Sequence, residues 1–109
     1  MRDFIVYEEH ASNQGTREPN EVWYRMPVFY FSNPLCIYGT GAQIPFPSES
    51  QQYDYELEIG CVIGREGSNI PAADALDYIA GFTIFNDWSA RDLQGDEMAF
   101  GLGPAKGKD

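Results

Sequence analysis

Basic residues are scarce in this chain. Seven Lys and Arg stand against seventeen Asp and Glu over 109 residues, for a formal net charge of −10. Nucleic-acid binding needs Lys and Arg clustered against phosphates, so no nucleic-acid partner is expected. Anionic membrane surfaces are disfavoured on the same ground. Cysteine is nearly absent. Cys36 and Cys61 lie in apolar contexts without C-x-x-C spacing, so buried reduced thiols are expected rather than a zinc site. No apolar run approaches the roughly 18 residues of a spanning helix, and no membrane partner is expected. The start, Met1-Arg2-Asp3-Phe4, lacks the apolar segment of a signal peptide, which makes the cytoplasm the expected location. Internal repeats and low-complexity tracts are missing too.

What is present argues for a folded chain. The hydrophobic fraction is 43%, with seven Tyr and seven Phe, enough for a modest core in one domain at most. Residues 3–13 read as a short helix, with Asp3 as a plausible N-cap and Gly15 ending it. Glu21 to Phe31 reads as an aromatic extended run interrupted by Pro27. A strand is expected over 53–63, a helix over about 71–80 with Pro71 near its start and Gly81 past its end, and a strand over 82–87. The remainder reads as Gly-rich loop. The order is helix, extended segment, strand, helix, strand, a sheet-rich α+β pattern.

The carboxylates carry the chemistry. In Tyr53-Asp54-Tyr55-Glu56-Leu57-Glu58-Ile59-Gly60-Cys61 the two glutamates share one strand face, about 7 Å apart. Burial of two such charges pushes at least one toward protonation unless a hard cation joins them. The alternative is a solvated face, with Tyr55, Leu57, Ile59 and Cys61 pointing inward. Asp87 closes the next apolar run and reads either as a third carboxylate or as a turn residue or N-cap. Asp3 and His10 are seven apart and fall on one helix face in this reading. Their plain alternatives are an N-cap and a last-turn residue. His10 is the single histidine, and imidazole ordinarily titrates nearest neutrality.

Several stretches together resemble the fumarylacetoacetate hydrolase family. They are Asp54-Tyr55-Glu56-Leu57-Glu58, Val62-Ile63-Gly64, Ala75 to Gly81, Asn86-Asp87-Trp88-Ser89-Ala90-Arg91-Asp92-Leu93-Gln94 and Gly103-Pro104-Ala105-Lys106-Gly107-Lys108-Asp109. The resemblance is strongest over residues 50–109 and weaker over Asp3 to Pro34. It implies a mixed β-roll or sandwich with short helices. It implies a divalent cation, Mg²⁺ or else Mn²⁺ or Ca²⁺, bound by Glu56, Glu58, Asp87 and Asp3. Lys108 matches the family lysine, His10 the general base, and Tyr30 and Gln94 positions that touch substrate. Arg91 and Asp92 read as a structural ion pair.

The implied reaction is metal-dependent hydrolysis of a C–C bond in a small anionic oxo-acid or β-dicarbonyl of aromatic catabolism. Isomerases and decarboxylases of unsaturated oxo-dioic acids use the same cage. A homodimer is implied as well. Two departures stand out. The glutamate that orients the family histidine lies three residues after it in shorter members, where this chain has Asn13, and far downstream in longer members, at a position beyond Asp109. Family members also continue on both sides, so the chain is expected to be a partial domain, 1–109, cut at both ends. A non-catalytic metal-binding fragment is therefore the competing reading, with poor activity, marginal stability and cation binding coupled to folding.

Overall fold

The computed structural model describes residues 1–13, 15–101 and 103–108. Asp109, the last residue of the family-like Lys-Gly-Lys-Asp run, lies outside them, as does the side chain of Lys106. The elements in order are β1 (Arg2–Phe4), α1 (Glu8–Ala11), α2 (Glu21–Arg25), β2 (Phe29–Phe31), β3 (Tyr53–Asp54), β4 (Leu57–Ile63), β5 (Ile79–Asn86), β6 (Ser89–Ala90) and α3 (Arg91–Phe100). Short 3₁₀ turns cover Pro34–Cys36, Ala72–Tyr78 and Lys106–Lys108. The chain is a small mixed α/β structure built on three two-stranded antiparallel pairs, β1–β2, β3–β6 and β4–β5.

The first element departs from the expected helix. Residues around Asp3 form β1, which pairs Asp3 with Tyr30 and Phe4 with Phe29. Phe4 packs on Phe29 at 5.1 Å, and the Arg2 guanidinium lies over the Phe29 and Phe31 rings. Sheet pairing and aromatic contact outweigh the weak helical preference of a run containing Ile5 and Val6. Helix is left only at Glu8–Ala11. Asp3 is therefore no N-cap, and Asp3 and His10 do not share a helix face.

The aromatic run 21–31 also divides. Asn20 caps α2 by accepting from the Val22 amide at 2.9 Å, a signal that helix-start residues carry. Extended backbone resumes at Met26, and the paired strand β2 begins only at Phe29. The strand expected over 53–63 is broken at Tyr55 and Glu56 into β3 and β4. The expected helix over 71–80 is the 3₁₀ turn Ala72–Tyr78, and β5 begins at Ile79 with Gly81 inside it. The expected terminal loop instead holds β6, α3 and a 3₁₀ turn. α3 ends where Gly101 takes a left-handed φ of 88°, the conformation that favours glycine at a helix end.

Burial is concentrated in a polar place. Among the described residues Ser12, Ser50, Asp87, Ser89 and Ala90 are buried, and Ala90 is the one hydrophobic side chain so enclosed. The β4–β5 hairpin shows the reverse. Leu57, Ile59, Ile84 and Phe82 are 77, 72, 80 and 65% exposed, and Cys61 is exposed as well. Register places Ile59 opposite Ile84 and Cys61 opposite Phe82, so they line one face. The face expected to point inward is uncovered in this chain.

Candidate metal centre

Three elements bring carboxylates to one place. Asp3 comes from the middle of β1, Glu58 from the start of β4, and Asp87 from the residue after β5. One carboxylate oxygen from each lies within 4.8 Å of the others. The β4–β5 pairing fixes Leu57 opposite Asn86, which sets Asp87 close to Glu56. The Asp87 amide donates to the Glu56 carbonyl at 3.0 Å. The β1–β2 pairing supplies Tyr30, whose hydroxyl lies 2.8 Å from Asp3 Oδ2 and 2.9 Å from Asp87 Oδ2. A single hydroxyl proton is thus shared between two carboxylates.

The second end of the cluster is held by cations. Lys108 Nζ donates to Glu56 Oε2 at 2.6 Å, Asp87 Oδ2 at 2.7 Å and Ser89 Oγ at 2.6 Å. An ammonium has three donors, and these contacts use all three. The Lys108 side chain is 3% exposed and that of Asp87 6%. Their pairing therefore offsets a large desolvation cost. Arg91 Nη1 donates to Glu56 Oε1 at 2.5 Å, so both Glu56 oxygens are occupied.

The titration of these groups follows the charges. Burial, followed by the Asp3, Asp87 and Glu56 charges, pushes the Glu58 carboxyl up to about 7. Burial and Asp87 raise Asp3, against a partly compensating hydrogen bond from Tyr30. Burial and the two aspartates also drive the Tyr30 hydroxyl upward, so it stays protonated. Burial alone would raise Glu56, but hydrogen bonds from Lys108 and Arg91 outweigh it and hold that carboxyl below its ordinary value. Asp3 and Glu58 thus lack what Glu56 has. A divalent cation suits this donor set: three hard oxygen ligands, and no Lys or Arg bonded to Asp3 or Glu58 among the described residues.

The other sequence candidates fall at different distances from this centre. Glu56 adjoins it but lies outside the three-carboxylate group, with its oxygens on Arg91 and Lys108. Gln94 sits in α3, where its Oε1 accepts from Arg91 Nη1 at 3.1 Å. His10 stands in α1, where its carbonyl accepts from the Asn13 amide at 3.0 Å and its exposed side chain has no hydrogen-bond or ion-pair partner among the described residues. Asn13, at the position of the missing glutamate, donates to Thr16 Oγ1 at 3.0 Å.

The Arg91–Asp92 ion pair is corrected. Arg91 bonds Asp54 and Glu56, whereas Asp92 accepts from Ser50 Oγ at 2.7 Å and the Gln51 amide at 2.8 Å. Neighbours at a helix start point different ways, so sequence adjacency does not pair them. Ser89 and Asp54 were not singled out. Period-two alternation points to both, to Ser89 from Asp87 and to Asp54 from Glu56 and Glu58.

Comparison with known proteins identifies the family. All of residues 1–109 match the family described as Fumarylacetoacetate (FAA) hydrolase C-terminal, and the chain belongs to the fumarylacetoacetate hydrolase family. An uncharacterized protein of Pyrococcus horikoshii is 38% identical over 90 residues, covering 83% of this chain and 37% of that protein. A fumarylacetoacetate hydrolase domain-containing protein 2 homolog of Dictyostelium discoideum is 41% identical over 92 residues, 83% of this chain and 28% of its own length. A mitochondrial oxaloacetate tautomerase of Rattus norvegicus is 38% identical over 90 residues, 83% of this chain and 27% of that enzyme. The chain spans well under half the length of these relatives. Among the described residues no helix is long and apolar enough to cross a membrane.

Proposed function

We propose that this chain carries the cation-binding part of an enzyme that moves a proton on a small anionic oxo-acid. Keto–enol tautomerisation of a 2-oxo dicarboxylate such as oxaloacetate is the preferred reaction. The observation that carries this reading is the carboxylate group Asp3, Glu58 and Asp87, which among the described residues has no Lys or Arg bonded to Asp3 or Glu58 and is backed by Lys108 at Asp87. The oxaloacetate tautomerases among the relatives favour isomerisation over the hydrolysis of a C–C bond. Hydrolysis in aromatic catabolism remains the second reading, on the strength of the family description.

Asp3, Glu58 and Asp87 would hold the ion, with Glu56 next to them, and Mg²⁺ is the ion we propose ahead of Mn²⁺ or Ca²⁺. When bound, such an ion supplies Lewis-acid polarisation of a carbonyl oxygen. The chain's own groups do the rest. Lys108 balances Glu56 and Asp87, which keeps the net charge low enough to admit an anion. Tyr30 fixes Asp3 and Asp87. Gln94 and Tyr30 offer polar contacts to substrate, and His10 is the candidate base that takes a proton from carbon. In tautomerisation the proton leaves C3 and a proton is delivered to the C2 oxygen, so the C–H bond breaks as the O–H bond forms.

For the whole protein we propose a homodimer in the cytoplasm and the family's β-roll or sandwich. Gel filtration with light scattering and cell fractionation test the first two, and a crystal structure of the whole protein the third. The activity test follows decay of the oxaloacetate enol band with and without Mg²⁺, and acylpyruvate cleavage alongside it. Mg²⁺-dependent enol decay without cleavage is the expected result. Cleavage without tautomerisation would turn the assignment to the hydrolase. Failure of the chain to bind Mn²⁺ by calorimetry would remove the metal centre altogether.

A further inference from the structure

Asp54 stands beside the centre and is used by none of the roles above. It lies in β3, paired in register with Ser89 of β6. One of its oxygens, Oδ1, accepts from the Tyr55 amide at 2.9 Å. The other, Oδ2, accepts from both Nε and Nη2 of Arg91, each at 3.1 Å. The Arg91 amide is tied to the Gln52 carbonyl at 2.7 Å, which brings the start of α3 against β3. One edge of the guanidinium is therefore occupied, and only the Nη1 corner reaches inward. That corner serves Glu56 Oε1 and Gln94 Oε1 together.

We propose that Asp54 is a positioning residue that acts on the centre through Arg91, an inference that rests on the metal-centre reading above. A guanidinium left to itself grips a carboxylate with two parallel N–H bonds. Arg91 without Asp54 is free to take both oxygens of Glu56. That grip displaces Lys108 from Glu56 Oε2, where it sits at 2.6 Å. The ammonium, which already donates to Asp87 Oδ2 at 2.7 Å, then has Asp87 as its sole carboxylate and competes more strongly with a cation for it. Asp54 blocks this sequence by holding the Nε–Nη2 edge, so Arg91 stays single-handed on Glu56 and still reaches Gln94. Groups that hydrogen-bond metal ligands directly commonly change metal affinity by about 10–100-fold when lost, and Asp54, which acts through Arg91 and Glu56, should fall at the low end of that range.

The test is a double-mutant cycle on the full chain, with Mn²⁺ affinity by calorimetry and the Arg91 Nε–H resonance by NMR in the absence of metal. Asp54→Ala should weaken Mn²⁺ binding about tenfold and shift or broaden the Arg91 Nε–H signal. In an Arg91→Met background the same change should cost less than about twofold, because the residue through which it acts is gone. Asp54→Asn keeps one acceptor oxygen, should fall between, and carries the cycle where the alanine variant does not fold. Equal losses in the two backgrounds would show that Asp54 acts by its own charge or through the fold, and would overturn the inference. So would an unchanged Arg91 signal. No Mn²⁺ binding by the unmutated chain would sink the metal-centre reading and this inference with it, whereas intact binding with an additive cycle sinks this inference alone.

Discussion

Glu56 and Glu58 are one residue apart and live in opposite surroundings. Glu56 has Lys108 and Arg91 on its two oxygens and a carboxyl held below its ordinary value. Glu58 faces Asp3 and Asp87 and has a carboxyl pushed up to about 7. Asp87 joins the two ends, since it touches both Lys108 and the proton shared through Tyr30. One end of the cluster is already neutral, and the other is short of a positive charge. The difference teaches where a cation has something to gain: at Asp3 and Glu58, where like charges are uncompensated, more than at Glu56, whose lone pairs are taken.

The comparison can be broken from its neutral end first. Lys108→Met leaves Asp87 buried without a counter-ion and should lower unfolding free energy by about 3–5 kcal/mol. Urea denaturation of the two proteins measures it, and saturating Mg²⁺ should recover part of the loss. A change within error would mean that Lys108 and Asp87 are not paired in solution.

The second effect belongs to the other end. Mg²⁺ at a hundredfold excess over its dissociation constant should stabilise the chain by about 2.7 kcal/mol. Glu58→Gln should abolish that shift in thermal unfolding, while Glu56→Gln should retain a measurable part of it. Equal loss in both variants would erase the distinction between the two ends. His10 stands outside both, in α1. His10→Ala should lower oxaloacetate turnover by at least ~10² with Mn²⁺ affinity nearly intact, and unchanged turnover would dismiss it as the base.

The smallest effect is a pH slope. Glu58 in the folded chain titrates at about 7, above its ordinary 4.5, so the folded state binds its proton more tightly than the unfolded state. Its contribution to stability is complete below pH about 4.5 and is lost as pH rises through about 7. Subtracting the urea midpoints of Glu58→Gln from those of the metal-free parent isolates this group from Glu56 and Asp54, which are shifted the opposite way. The difference should fall across that window, and Mg²⁺ should reverse its sign. A flat difference would place Glu58 in ordinary solvent.

Much of the site was legible because it rests on residue type and short spacing. Glu56, Glu58 and Asp87 could be picked from two apolar runs, and the Asn86–Gln94 stretch carried the family. The local conformations were less legible. Asp3 reads as a helix cap by its neighbours and is a strand residue by its partner, because Tyr30 and Phe29 sit 27 and 26 positions away and offer a ladder that no local window contains. The Arg91-Asp92-Leu93-Gln94 segment hides its helix behind Gly95, and the ends of α3 are decided by Gln52 and Glu97 contacts across the chain.

The sequence by itself determined the composition of the centre: an acidic chain, carboxylates in strand-like runs, two lysines near the end and the family to which they belong. It did so because charge and residue type are properties of single positions. Tertiary structure alone decided how the charges are shared. Lys108 and Arg91 reach Glu56 from 52 and 35 residues away, and Asp3 meets Glu58 and Asp87 only through the pairing of β1 with β2. Which carboxylate is neutralised and which is left for a cation depends on distances of a few ångström between remote segments, and Coulomb energies change steeply over just that range.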